Sequence, residues 1–283
     1  MREPQVRLVR LADGVQVPCL GQGTWHMGED PTRRDSEIDS LRTGIALGMT
    51  LIDTAEMYGD GASETLVGEA IQGLREQVTL VTKVLPSHAG RREVAAACEA
   101  SLRRLGVQRI DVLLLHWRGS TPLAETVEAF EKLRAEGLIG AWGVSNFDVD
   151  DLEELAEIAP LGHCVTNQVL FNLGYRGIEF DLLPACAHAG MPIMAYSPVG
   201  QGGAMLRTPA LVAVSARHGC TPAQAALAWT LRIPGVLAIP KAGSVAHVRE
   251  NAEAAAIALT EEDLDELDRA FPPPRSKRPL AML

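Results

Sequence analysis

The stretch Leu51-Ile52-Asp53-Thr54-Ala55-Glu56-Met57-Tyr58 decides how this chain reads. It follows a helix-like segment and begins as a short apolar run, the pattern of a buried strand. A carboxylate, Asp53, stands where the run ends, and a phenol, Tyr58, follows a few residues on in the loop. An acid at a strand tip, followed by a loop carrying a titratable hydroxyl, is how barrel enzymes display chemistry at the C-terminal ends of their strands.

Outward from this stretch the same rhythm repeats. Short apolar or β-rich runs fall near 19–24, 50–53, 78–83, 110–116, 139–144, 163–168, 192–196 and 235–240. Between them lie amphipathic segments at 91–105, 122–136, 148–158, 179–189, 221–232 and 244–256. In the first of these, Val94, Ala97, Cys98, Ser101, Leu102 and Leu105 recur at helical spacing. Thr121-Pro122 and Thr221-Pro222 set a cap before a proline at the first helical turn. Residues 5–18 hold Asp13-Gly14 between two β-rich runs, which predicts a hairpin. Eight strands alternating with helices imply a parallel sheet with right-handed crossovers. A closed (β/α)8 barrel of typically ~250 residues accounts for the chain as one domain, 1–283, with little left over. The competing fold, a doubly wound open sheet, usually carries a glycine-rich phosphate turn after its first strand. Here Gly21-Gln22-Gly23-Thr24-Trp25-His26 lacks the third glycine. From Phe271 to Leu283 the chain is proline-rich, an extended tail that is either disordered or laid across the barrel mouth.

Composition excludes several classes of function. With 47% apolar and 22% charged residues, the chain has the make-up of a soluble globular protein. Its net charge of −10 argues against nucleic-acid binding, which needs a basic surface, but leaves room for a local basic pocket. No apolar run approaches the ~20 residues of a membrane span. Met1-Arg2-Glu3-Pro4-Gln5 has no apolar core behind a basic head, so no signal peptide is expected. The five cysteines, Cys19, Cys98, Cys164, Cys186 and Cys220, are scattered and never paired at CxxC spacing. They read as small buried residues in a reducing cytoplasm, with a redox or metal role as the alternative.

Two further runs end as the opening stretch does. Val81-Thr82-Lys83 finishes in a lysine and Val112-Leu113-Leu114-Leu115-His116 in a histidine. Adjacent strands lie ~4.8 Å apart, so three neighbouring tips bring Asp53, Lys83 and His116 within roughly 10 Å, with Tyr58 able to fold back over them. A buried lysine needs a partner, and Asp53 is available. A cation beside a phenol favours the phenolate, so Lys83 is expected to lower the Tyr58 pKa from ~10. Such a tyrosine can protonate a carbonyl oxygen that is becoming an alkoxide, while His116 orients that oxygen. Singly, Asp53 reads as a strand-end cap, Lys83 as a surface charge, His116 as a core histidine and Tyr58 as a loop aromatic. On successive strand ends they read as one proton-donating oxyanion site without a nucleophile.

With these residues in place the chain resembles an aldo-keto reductase over nearly its whole length, from the hairpin to Glu250-Asn251. The Asp-Thr-Ala-Glu-Met-Tyr run is its most specific signature. The resemblance implies a (β/α)8 TIM barrel whose N-terminal β-hairpin closes the bottom. It also implies a nicotinamide cofactor, usually NADPH, and no metal. Asp53, Tyr58, Lys83 and His116 match the catalytic set of the family. Gly23, Thr24, Trp25 and Asp53 belong by the same resemblance to the cofactor site, as does Ile239.

The remaining tips suit a nicotinamide, whose carboxamide must be fixed. Ser145, Asn146 and Gln168 offer donors and acceptors for an amide, and Tyr196 offers a ring to stack on the nicotinamide face. Ordinary loop capping is the plainer role for Asn146 and Gln168. Ser197-Pro198-Val199-Gly200-Gln201-Gly202-Gly203 is a small-residue loop that can approach a pyrophosphate closely. Ser197, Val199, Gly200 and Gln201 are its cofactor candidates. Lys241 and Ser244 open a helix, an anion site consistent with the adenosine 2′-phosphate of NADP. Here the family pattern is broken. Ala242 stands where serine follows the lysine, and His247 stands where arginine lies six residues on. Arg249 comes two positions later, about 200° round a helix. Arg249, Glu250 and Asn251 complete the cofactor set, the last two at adenine. NADP is preferred and NAD remains open.

Trp25, Met57 and Trp117 fall near strand tips beside Tyr58 and His116, an apolar wall for a small carbonyl substrate; core packing is the alternative for Trp25. The short loop Arg118 to Thr121 and the short tail suggest an open, unspecialised pocket. The expected function is NADPH-dependent reduction of aldehydes or ketones, such as small ketoaldehydes, by a cytoplasmic monomer with no nucleic-acid or membrane partner. Two other classes stand beside it. One is a cofactor-sensing subunit of a larger assembly, for which no docking segment is seen. The other is a Schiff-base lyase using Lys83, which the Asp53 partner opposes because a nucleophilic lysine should be neutral.

Overall fold

A computed structural model of the protein describes residues 7–283, so the reading of Met1 to Gln5 and the first two hairpin residues lie outside it. Strands β1 (Leu8–Arg10) and β2 (Gln16–Pro18) pair antiparallel. Their turn is made by Asp13-Gly14. Gly14 sits at φ +93°, where a side chain would be strained, and Asp13 Oδ1 accepts from the Val15 N–H at 3.0 Å.

Eight parallel strands follow: β3 (Gln22–Gly23), β4 (Leu51–Asp53), β5 (Thr79–Val84), β6 (Ile110–Leu115), β7 (Ile139–Ser145), β8 (Cys164–Leu170), β9 (Ile193–Tyr196) and β10 (Val236–Ala238). Each pairs with the next in chain order. The ends of the sheet meet through parallel bridges, Leu20 to Ala238 and Gly23 to Lys241, with Gly21 N–H on Ala238 O at 2.8 Å. The sheet is therefore a barrel. Gly23 is required at the seam, since a Cβ there would stand 2.7 Å from Ile239 O.

The connections carry α1 (Arg34–Ala46), α2 (Ala62–Ala70), α3 (Arg91–Leu105), α4 (Leu123–Ala135), α5 (Val149–Ile158) and α6 (Leu182–His188). The second half adds α7 (Pro209–Arg217), α8 (Pro222–Leu231), α9 (Val245–Ala254) and α10 (Glu261–Ala270). The cap expected at Thr221 is present as a reciprocal pair with Gln224. At Thr121 it is absent: Pro122 itself takes the cap position of α4 without a side-chain bond. Three helices, α2, α7 and α10, fall outside the segments expected from the sequence. Helix α10 packs Leu267 into the core, and α7 precedes α8 within one connection.

Strand period sorts the side chains into two cores. Leu51, Val81, Val112, Leu114, Ala141, Val165, Met194 and Leu237 point into the lumen, where Val9, Leu11, Val17 and Cys19 of the hairpin region close one end. The intervening residues, among them Ile52, Leu80, Leu113 and Leu115, pack outward against helical Leu41, Val94, Phe130 and Leu155. Continuing the inward set by two residues reaches Asp53, Lys83 and His116, at the end opposite the hairpin. The period that fills the core also aims the three polar tips.

Candidate active site

Lys83 is fully buried, and its ammonium has three acceptors. It donates to Asp53 Oδ2 at 2.8 Å, to Thr54 O at 2.8 Å and to Tyr58 Oη at 3.2 Å. The other Asp53 oxygen accepts from Gln168 Nε2 at 2.7 Å. Tyr58 meets His116 edge-on, with ring centroids 5.9 Å apart. The Tyr58 loop is held by Glu56, whose Oε1 accepts from Leu85 N–H at 2.7 Å at the end of β5.

Burial sets the electrostatics. It works against the Lys83 ammonium, yet Asp53 and Tyr58 outweigh it and raise the lysine pKa. Burial pushes the Asp53 carboxyl up, opposed by the ammonium and the Gln168 amide. His116 is pushed down to about 2 by burial and by the Lys83 cation, so its imidazole is neutral across ordinary pH. Among the described residues its Nδ1 is buried without a partner. An orphaned acceptor is less costly than an orphaned donor, which assigns the single N–H to Nε2. For Tyr58 the expected direction is corrected. Burial raises its pKa and the Asp53 charge adds to this, against the pull of Lys83, so the phenol keeps its proton.

Asp53, Tyr58 and His116 open onto a cavity of about 890 Å³. From the remaining expectations, Gly23, Thr24 and Trp25 line it at the first tip, and Ser145, Asn146 and Gln168 at the middle tips. Tyr196, Ser197, Val199 and Gln201 line it next, followed by Ile239, Lys241 and Glu250. Met57 and Trp117 complete the apolar side with Trp25. Met57 and Trp25 are 39% and 38% exposed, which marks them as surface-facing walls rather than core. Gly200, Ser244, Arg249 and Asn251 are not on this wall. Ser244 Oγ caps α9 by accepting from His247 N–H at 3.4 Å, Asn251 is buried, and Arg249 is exposed outside the cavity.

Gln168 reaches the lumen through an irregularity. Between β7 and β8, two steps along β7 (Trp142 to Val144) match three along β8 (Cys164 to Asn167). The extra residue shifts the alternation, so Val165 and Gln168 face inward together. Asn146, at φ +58°, donates from Nδ2 to His116 O at 3.1 Å and accepts from Tyr196 Oη at 3.0 Å. Non-glycine residues at positive φ gather here: His26, Asn146, Ser197 and Gln201 all line the cavity. Strain of this kind concentrates where surrounding structure holds a functional surface.

Sequence reading missed part of the wall. Thr221, Pro222 and Ala223 at the start of α8 line the cavity, as do His26, Leu206 and His247. So do Met282 and Leu283, which corrects the expectation of a pocket left open by a short tail. Lys277 holds the tail through Asp150 at 3.3 Å and through Asp148 and Asp181 at 3.6 Å. Among the described residues no group of three or more His, Cys, Asp or Glu could hold a metal ion, and no helix is long and apolar enough to cross a membrane.

A family model described as the aldo/keto reductase family matches residues 19–271. The chain belongs to the aldo/keto reductase family. It is 49% identical over 283 residues to the methylglyoxal reductase YeaE of Escherichia coli (strain K12), covering 99% of this chain and all of that one. It is 35% identical over 268 residues to a glyoxal reductase of Bacillus subtilis (strain 168), covering 92% and 91%. An aldo/keto reductase from Klebsiella pneumoniae, solved in complex with NADP and acetate, superimposes with a TM-score of 0.95. That protein is 51% identical, with 98% of this chain and 100% of that chain covered. The eight-stranded barrel of the present protein is thus an aldo/keto reductase barrel.

Proposed function

We propose that this aldo/keto reductase reduces small aldehydes and ketones, ketoaldehydes such as methylglyoxal among them, to alcohols with NADPH, Tyr58 being the proton donor. The observation that carries the reading is the buried Lys83 ammonium, held between the Asp53 carboxylate and the Tyr58 hydroxyl, two residues that line one large cavity. The two reductases named above, of methylglyoxal and of glyoxal, support the substrate class, and the NADP-bound Klebsiella protein supports the cofactor.

The residues suit the cofactor. At about 890 Å³ the cavity is at the upper end of the ~300–1,000 Å³ range for ligand sites. It runs from the polar tips to Lys241 and Glu250, with Tyr196 between them. Ser145, Asn146 and Gln168 would hold the carboxamide, Tyr196 would stack on the ring, and Lys241 would meet phosphate. Bound there, NADPH supplies a hydride to the carbonyl carbon.

The chain does the rest. His116 Nε2–H donates to the carbonyl oxygen and orients it. As that oxygen gains charge, Tyr58 Oη–H gives up its proton to it, completing the alcohol. The Lys83 ammonium at 3.2 Å stabilises the phenolate left behind, which is reprotonated from solvent. Asp53 keeps the ammonium in place and charged. A lysine held protonated in this way opposes imine chemistry, which needs the free amine. Four buried cysteines and one half-buried, all free, support a reducing compartment such as the cytoplasm.

The test is NADPH oxidation followed at 1 mM methylglyoxal, glyoxal and a panel of larger aldehydes and ketones (on the order of usual KM values). Turnover with the small dicarbonyls is expected. Tight NADPH binding without turnover of any carbonyl would instead favour a cofactor sensor.

A further inference from the structure

The family pattern places an arginine six residues after the cavity lysine, and this chain has His247 there. The structure brings a different arginine close to Lys241. Arg33 is the cap residue of α1, and α1 is fastened to the 241–244 loop by Ser40 Oγ, which donates to Ala242 O at 2.9 Å. A Cβ built on Gly243 would stand 2.6 Å from Arg33 Nη2 and 3.3 Å from Lys241 Nζ. The two cations therefore lie at most about 6 Å apart, Arg33 approaching so closely because residue 243 has no side chain, and Glu37 Oε1 lies 3.7 Å from the same point. The start of α9 adds its backbone N–H groups beside it.

The charge balance around the two cations is incomplete. Among the described residues Arg33 has one carboxylate partner, Glu37 Oε1, at 3.7 Å. Glu37 is buried and uses its other oxygen on Gly28 N–H at 2.9 Å. Glu29 and Glu37 act on Lys241 from a distance, and among the described residues no carboxylate lies within 4 Å of its ammonium. Burial and the Arg33 charge both lower the lysine pKa. Two cations held this close, one of them on the wall of the cavity, fit a doubly charged oxyanion between them.

We propose that Arg33 and Lys241 together grip the adenosine 2′-phosphate of NADPH over Gly243, Arg33 serving from α1 as the specificity residue that position 247 does not supply. This rests on the nicotinamide reading above. Arg33 offers a planar fork suited to phosphate, which a histidine lacks. Its side chain is half exposed and its one ion pair long, so its loss should leave folding intact.

Calorimetric titration of wild type and Arg33→Gln with NADPH, NADH, adenosine 2′,5′-bisphosphate and adenosine 5′-monophosphate decides it. The Kd for NADPH and for the bisphosphate should rise about tenfold in Arg33→Gln, the loss of one charge-assisted contact. Both ligands lacking the 2′-phosphate should keep their wild-type Kd. Arg33→Lys should recover part of the preference. Equal changes for NADPH and NADH, or none, overturn the role of Arg33 while leaving the nicotinamide reading intact. So does a preference that collapses in His247→Ala and survives in Arg33→Gln. A wild-type protein that binds neither nicotinamide overturns both.

Discussion

The two ends of the cavity are built on opposite principles. At the catalytic end, Asp53, Lys83 and Gln168 sit on strands, are buried and partner their neighbours: Lys83 touches Asp53, Thr54 and Tyr58, and Asp53 also touches Gln168. At the Lys241 end, Lys241 and Arg33 come from a loop and a helix start more than 200 residues apart and are partly exposed, with Glu37 at 3.7 Å from Arg33 as the one carboxylate paired with either among the described residues. One end completes much of its electrostatics internally before any ligand arrives. The other is unbalanced and waits for a ligand to balance it. On the proposed function, proton donation belongs at the first and selection among cofactors at the second.

Substitutions separate the two ends, the largest effects coming from the catalytic one. Tyr58→Phe removes only a hydroxyl. Turnover should fall by about 10²–10⁴, the usual worth of a positioned general acid, while the Kd of NADPH stays within about twofold. Retained turnover would show that another group delivers the proton. Lys83→Met strands the Asp53 carboxylate in the barrel. Stability in urea titrations should drop by about 3–5 kcal/mol, the cost of breaking a buried pair from one side. A loss under 1 kcal/mol would mean that Asp53 is not held as an ion by this lysine.

His116 supplies a pH signature. Its folded pKa lies far below the ordinary ~6.5, so below pH 6.5 the unfolded chain binds a proton that the folded chain refuses. Stability from this group is full above pH 6.5 and is lost as pH falls toward about 2, at roughly 1.4 kcal/mol per pH unit. Denaturant melts between pH 4 and 7 should show His116→Gln with a slope shallower by about that amount; an identical slope would refute it. At the other end, Lys241→Ala should raise the Kd of NADPH about tenfold, as expected for one charge-assisted contact, and that of NADH far less. Equal losses would remove the contrast between the two ends.

How much of this was legible in the sequence follows from the range of the forces involved. Eight apolar runs carried the barrel, because a strand buried on both faces must be apolar along its length whatever surrounds it. Period-two alternation then placed Asp53, Lys83 and His116 in the lumen, because each lies two residues beyond an inward apolar side chain. The ion pair, and the loop that returns Tyr58 to it, followed from neighbouring strands. The sign of the Tyr58 shift did not follow: Lys83 was visible in the sequence, but the depth of burial that outweighs it was not.

Other features had no local signal at all. The inward turn of Gln168 depends on an extra residue in β8 relative to β7, a property of the pair and not of either strand. Met282 and Leu283 reach the cavity because Lys277 finds three aspartates from the starts of α5 and α6. Arg33 reaches Lys241 because α1 and α9 pack side by side, although Pro31-Thr32-Arg33-Arg34 reads as an ordinary helix start. By itself the sequence determined the barrel and its catalytic tips, since hydrophobic period acts within a few residues. Only the tertiary structure decided which way Gln168 faces, what the tail covers and which arginine stands beside Lys241. Those depend on elements far apart in the chain and brought together by packing.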